Sequence, residues 1–179
     1  MIKTALIIYR VDKGSKANAG VVQKLAGQVD ALISIGWEVD YMIHDGLRIY
    51  KNQKIIAEMP RGLGVTGTKW FFWKHLLPAF DKGYDLFLIR YSLMIPPQFD
   101  FIRSIRQVYP QSKIILDMPT YPYDDEWTGL KGRLGLYWDR KYRAKLAPYI
   151  DGITHSGSEE SIFNIRTIPI TNGIAEYLI

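Results

Sequence analysis

The sequence predicts an α/β fold whose sheet is doubly wound and mainly parallel. Three observations carry this: short apolar, β-branched runs recur along the chain, helical repeats separate them, and each run empties into a polar or glycine-containing loop. Parallel neighbours are reached only by crossing over the sheet, so helices come to cover it.

Thr4 to Tyr9 is a continuous apolar run and reads as a strand buried on both faces. Between Ala19 and Ile35, Val22, Leu25, Val29, Leu32 and Ile33 fall at helical spacing, and Gly36 is placed to stop the helix. A strand follows over Trp37 to Ile43. The segments Leu47 to Tyr50 and Lys54 to Glu58 flank Lys51-Asn52-Gln53 and predict a small β-hairpin insertion. The alternation then resumes with a helix over Lys69 to Phe80, a strand over Tyr84 to Arg90 and a helix over Pro97 to Tyr109 with proline near its start. Lys113 to Asp117 reads as a strand, Leu130 to Leu146 as a long basic helix and Asp151 to His155 as a strand. Glu159 to Phe163 is expected to be a short helix, and Thr167 to Thr171 the last strand. The sum is one Rossmann-like domain over residues 1–179, in three α/β/α layers.

Composition agrees with one folded domain: 179 residues, 47% apolar and 23% charged, argue against a disordered or fibrous chain. Cysteine is absent, which excludes a disulfide framework, a thiolate zinc site and a cysteine nucleophile. The opening MIKTALIIYRVD meets charge too soon for a signal peptide, and no run approaches the length of a membrane span. A cytoplasmic location is expected.

Charge is concentrated. Residues 131–147 hold Lys131, Arg133, Arg140, Lys141, Arg143 and Lys145 against Asp139 alone, which accounts for the whole net charge of +5. That favours a basic surface facing anionic lipid or phosphate over a nucleic-acid binder. The aromatic stretch Lys69 to Lys74 and the apolar residues of the basic helix are expected to pack into the core, with peripheral contact at the inner face of a membrane as the secondary reading.

In doubly wound sheets ligands bind beyond the carboxyl ends of the strands, so the residues directly after each strand are the candidates. After the first strand, Asn18, Ala19 and Gly20 open a helix whose free N–H groups favour phosphate, or else form an ordinary loop with an Asn cap. Gly62-Leu63-Gly64-Val65-Thr66-Gly67 fits G-x-G-x-x-G, but it follows the hairpin and not the first strand, so a dinucleotide site is not expected there. Arg90 either holds a phosphate or sugar hydroxyl or pairs with Asp117 or Asp124. Asp117 opens the stretch DMPTYPYDDEW, in which Pro119 and Pro122 stiffen the chain and Tyr121, Tyr123 and Trp127 either offer flat faces suited to sugar rings or simply pack down as part of a surface loop. His44, His75 and His155 form no metal-binding spacing, and neither a serine-hydrolase elbow nor a P-loop is present.

The stretches "YDLFLIRY", "KIILDMPTYPYDDE" and "YIDGITHSGSEESIFNIRTIPITNGI", in that order, resemble the N-terminal half of glycosyltransferase family 4 enzymes of the two-domain GT-B architecture, especially bacterial ones that build surface polysaccharides. The resemblance implies the acceptor-binding half of a retaining glycosyltransferase, which moves a sugar from a nucleotide-sugar donor to a glycan or lipid-linked acceptor with no cofactor and no required metal. It places Asn18 to Gly20 near the donor diphosphate, and Arg90, Tyr91, Asp117, Tyr121, Tyr123 and Asp124 on the acceptor side. Ser156, Asn172 and Gly173 would edge the cleft. It assigns no catalytic residue firmly; Arg90 and Asp117 are the candidates. The chain stops at Ala175 to Ile179, where the family enters its donor-binding domain, so a partner domain is expected to hold the nucleotide-sugar. Asp117→Asn and Tyr121→Ala are then expected to impair transfer more than folding. The rival reading is a self-sufficient α/β module that binds a nucleotide or flavin without catalysing transfer.

Overall fold

The computed structural model describes residues 2–77, 80 and 82–170. In chain order the elements are β1 (Thr4–Asp12), α1 (Ala19–Ser34), β2 (Glu38–Asp45), β3 (Arg48–Lys51), β4 (Lys54–Glu58), α2 (Val65–Lys74), β5 (Leu86–Arg90), α3 (Pro96–Val108), β6 (Lys113–Asp117), α4 (Gly129–Arg143), β7 (Gly152–His155), β8 (Ser161–Ile162) and β9 (Ile165–Pro169). They form a sheet in the order β4-β3-β2-β1-β5-β6-β7-β9-β8. The six strands from β2 to β9 in that order run parallel, and the β3–β4 hairpin and β8 close the two edges antiparallel. From β1 the chain moves to β2 on one side and later to β5 on the other, so the winding reverses between β1 and β5. Such a reversal opens a crevice at the strands' carboxyl ends.

Alternation along β1 divides the core. Leu6 and Ile8 point to the face covered by α2, α3 and α4, with Phe72, Trp73, Phe101, Ile102 and Leu136 packed there. Ile7, Tyr9 and Val11 point to the opposite face, covered by α1 through Leu25. The three-layer α/β/α arrangement follows directly. The aromatic stretch packs inward as expected, with Phe72 and Trp73 fully buried and Trp70 half exposed.

Several boundaries differ from the sequence reading. The short helix expected over Glu159 to Phe163 is replaced by the edge strand β8, which turns into β9 through Phe163 and Asn164 at φ 55° and 61°. Two consecutive left-handed residues make the tight turn of a twisted hairpin. No Asn-Gly pair advertises it; instead the Phe163 ring packs on Tyr91 and Tyr121, with the Arg143 guanidinium over it. The last strand accordingly begins at Ile165, and Thr171 lies outside the described residues. The helix expected from Lys69 begins four residues earlier, because Gly64 caps it and Gly67 is helical despite its weak propensity. α4 ends at Arg143, so Leu146 is buried beyond the helix and not within it.

Candidate functional site

At the carboxyl edge, Asp117 is fully buried and fully engaged. Its Oδ2 accepts from the Tyr9 hydroxyl at 2.6 Å and from Arg90 Nη1 at 2.9 Å, while its Oδ1 accepts from Lys24 Nζ at 2.9 Å and Thr154 Oγ1 at 3.2 Å. These donors come from β1, β5, α1 and β7, so one carboxylate ties three strands and a helix together. An ionised carboxylate has about four acceptor positions, and here each has a partner. Burial first, then the neighbouring Asp117 charge, pushes the Tyr9 hydroxyl well above the ordinary tyrosine range. Tyr9 therefore stays protonated and acts as a donor. Of the alternatives open for Arg90, pairing with Asp117 is the one adopted, with the guanidinium also over the Tyr9 ring.

A second polar cluster occupies the opposite face. Asp139, the lone carboxylate of the basic helix, is fully buried and accepts from the Tyr91 hydroxyl at 2.5 Å, the Tyr123 hydroxyl at 2.6 Å, Arg143 Nη1 at 3.0 Å and the Met94 backbone N–H. Burial leads in raising both tyrosine hydroxyls, and Asp139 adds to it. Arg143 also reaches Asp124 at 2.8 Å, and Arg140 joins it, holding the Asp124 carboxyl below its usual range. The loop from Asp117 to Trp127 is thus clamped at both ends. At its far end the backbone of Trp127 lies against Gly132, where an added Cβ would sit 2.8 Å from the Trp127 carbonyl carbon. Glycine is required there by contact, not by dihedral.

The predicted residues now divide. Arg90, Tyr91, Asp117, Tyr121, Tyr123 and Asp124 are brought together at one edge, but Tyr91, Asp117 and Tyr123 are buried and serve as internal struts. Direct contact of Asp117 with an acceptor, as the resemblance implies, does not fit its zero exposure. Tyr121 is half-buried beside Tyr123, His155 and Phe163, and the neighbouring Pro119, Thr120 and Pro122 are exposed, so this part of the loop can meet a ligand. The Tyr121–Pro122 bond is cis. At the start of α1, the Asn18 amide donates to the Asp12 carbonyl at 3.0 Å and does not cap the helix. Ala19 and Gly20 are exposed, but the Ala19 N–H already donates to the Lys16 carbonyl. Ser156 is exposed just after β7; Asn172 and Gly173 lie outside the described residues.

Sequence reading missed Tyr9, Lys24 and Thr154 as Asp117's partners, and Asp139 as the centre of the second cluster. Only Asp139 carried a signal, as one acid among six cations. His155 Nε2 lies 2.9 Å from Glu159 Oε2 without the alignment of a hydrogen bond.

Two further surfaces are prominent. At the amino end of β2, Asp40, Lys51, Asn52, Gln53, Lys54 and Lys82 line an open hollow of about 540 Å³. It lies away from the carboxyl edge, and its central carboxylate Asp40 is already held by Lys51, Lys82, Asn52 and Tyr84. On α4, by contrast, Leu130, Leu134 and Tyr137 stand exposed at helical spacing after Trp127, beside Arg133 and Lys141. Among the described residues no group of acidic or histidine side chains is placed to hold a metal, and no helix is long and apolar enough to cross a membrane.

No protein-family model matches the chain, and no curated protein is found to be similar to it.

Proposed function

We propose that the chain is the acceptor-side domain of a retaining glycosyltransferase, which takes a sugar from a nucleotide-sugar held by a second domain and delivers it to a glycan or lipid-linked acceptor of a surface polysaccharide. The observation that supports this best is the double clamping of the loop from Asp117 to Trp127. Buried carboxylates fix it from both faces of the sheet, and the rigid loop presents Tyr121, beside His155 of β7, and two exposed prolines at the carboxyl edge. A wall held that firmly orients an acceptor without ordering a loop at the moment of transfer. In this role Asp117 and Arg90 are positioning residues, and no step of the transfer is assigned to them.

The exposed row on α4 belongs to the same reading. Apolar side chains flanked by cations suit the surface of an anionic membrane, where a lipid-linked acceptor would be presented. Calorimetric titration separates the reading from its rival. The acceptor-side domain should bind short-chain prenyl diphosphate sugars and bind nucleotide-sugars and flavin mononucleotide weakly. Tight binding of a nucleotide or flavin, with no acceptor binding, would establish the self-sufficient module instead.

A further inference from the structure

Two cations near the crevice have no carboxylate partner. Arg10, near the carboxyl end of β1, makes neither a hydrogen bond nor an ion pair within the described residues, and its Nε is buried without a partner. Lys69, in α2, is also buried, and its ammonium meets only the backbone carbonyl of Leu93 in the loop after β5. Phe72, three residues after Lys69 on α2, packs with its ring centroid 6.0 Å from that of His44, the register partner of Asp12, so the buried face of α2 lies over the end of β1 that carries Arg10, whose charge disfavours the Lys69 ammonium. His44, at the end of β2 and paired in register with Asp12, is buried next to them and feels the Arg10 charge as well. Nearby carboxylates are committed elsewhere. Asp12 Oδ1 accepts the backbone N–H groups of Gly14 and Gly46, and Asp139 is saturated by its own cluster.

Unpaired buried cations cost stability, and folded chains seldom keep them without a counter-charge. Here they gather where the winding reverses between β1 and β5, the position at which doubly wound sheets receive ligands. We infer that Arg10 and Lys69 form an anion site that takes a phosphoryl group of a substrate, with the largely buried Arg10 toward its mouth and Lys69 as its floor. The forked guanidinium suits two phosphate oxygens, and the ammonium supplies a point charge to a third. This site differs from Asn18 to Gly20, which the resemblance placed near a diphosphate. The anion site stands on the geometry of the cations alone; only the source of the phosphoryl group rests on the proposed function.

The charges facing Lys69 and its neighbours are Arg10 of β1, His44 of β2 with Asp12 and Asp45 acting on it, and Asp139 of α4. Burial first, then Arg10, brings the Lys69 ammonium down to about 7. Above that pH the side chain is largely neutral, so an arriving anion should draw a proton onto it.

The test is calorimetric titration of the native chain with inorganic phosphate, uridine diphosphate and geranyl diphosphate, at constant ionic strength and about pH 8, in two buffers of different ionisation enthalpy. Binding of phosphate with uptake of a fraction of a proton is expected. Arg10→Met and Lys69→Met should each weaken it on the order of tenfold or more, while Arg10→Lys and Lys69→Arg retain part of it. Native protein that responds to phosphate no more than to chloride, or Met variants that bind as the native chain does, would overturn the site. Should a Met variant fail to fold, the native response and its proton uptake still decide. The organic arms identify the source. Preference for geranyl diphosphate points to a lipid-linked acceptor, and preference for uridine diphosphate points to a nucleotide and contradicts the acceptor-side reading while leaving the anion site intact.

Discussion

Arg90 and Asp117 are joined twice, as register partners across β5 and β6 and through an ion pair of 2.9 Å between Nη1 and Oδ2. Because Asp117 also receives Tyr9, Lys24 and Thr154, replacing it strands two cations at once. Asp117→Asn turns an amide N–H₂ toward donors that need an acceptor. The expected cost is about 3–5 kcal/mol, the range for breaking a buried ion pair. Urea denaturation measures it. The sequence alone suggested that this substitution would harm transfer more than folding; burial reverses that order, and a variant as stable as the native chain would restore the first view.

Asp124 should govern part of the acid limb of stability. Hydrogen bonds from Arg143, then Arg140, lower its pKa in the folded chain. A carboxyl with a depressed folded value contributes stability above its unfolded value and loses it as pH falls through the folded one. Melting temperature should therefore decline from about pH 4 downward, and Asp124→Asn should flatten the decline. Identical acid limbs in the two proteins would remove Asp124 from this role.

Lys69 gives a slope of the opposite origin. Its folded value of about 7 lies below the ordinary lysine value, so between the two the unfolded chain binds the extra proton and stability rises with pH. The full cost of the buried charge is present below about 7 and is relieved as pH climbs toward the unfolded value. Lys69→Met should thus help the native chain most in weak acid and progressively less toward about pH 10. Parallel urea titrations across that range would show the converging curves, and a pH-independent difference would contradict the burial of a titrating ammonium.

The outer face of α4 should bind anionic vesicles. Sedimentation with phosphatidylcholine vesicles containing phosphatidylglycerol should retain the chain, and Leu134→Glu should release it with little change in stability, since Leu134 is 59% exposed. Salt should weaken the binding by screening the cations. Retention of Leu134→Glu equal to that of the native chain would move the contact to another surface.

Much of the fold was legible because its strands are buried on both faces and read as uninterrupted apolar runs, as in ALIIY and IIL. The β8–β9 hairpin was not, since its left-handed turn is formed by Phe163 and Asn164 and is held by ring packing from distant parts of the chain. For the site, position after a strand located Arg90, Asp117, Tyr121 and Tyr123 on one edge. It could not tell which of them face solvent. Asp117 withdraws inward because Tyr9 and Lys24, 108 and 93 residues away in sequence, supply its partners, and no local pattern announces such pairs. Lys69 drew no separate notice within the aromatic stretch, because the Leu93 carbonyl it meets and the Arg10 charge it feels belong to other elements.

The central claim is that the carboxyl edge between β1 and β7 is one wall of an acceptor cleft. The most direct measurement is nuclear magnetic resonance mapping of the labelled chain during titration with a short-chain prenyl diphosphate sugar, alongside Tyr121→Ala. Shifts confined to Arg10, Lys69, Tyr121 and Ser156, with weaker binding by Tyr121→Ala, are the predicted result. Shifts centred on Asp40, Lys51 and Lys82 at the amino end of the sheet, or none on addition of saturating ligand, would contradict it.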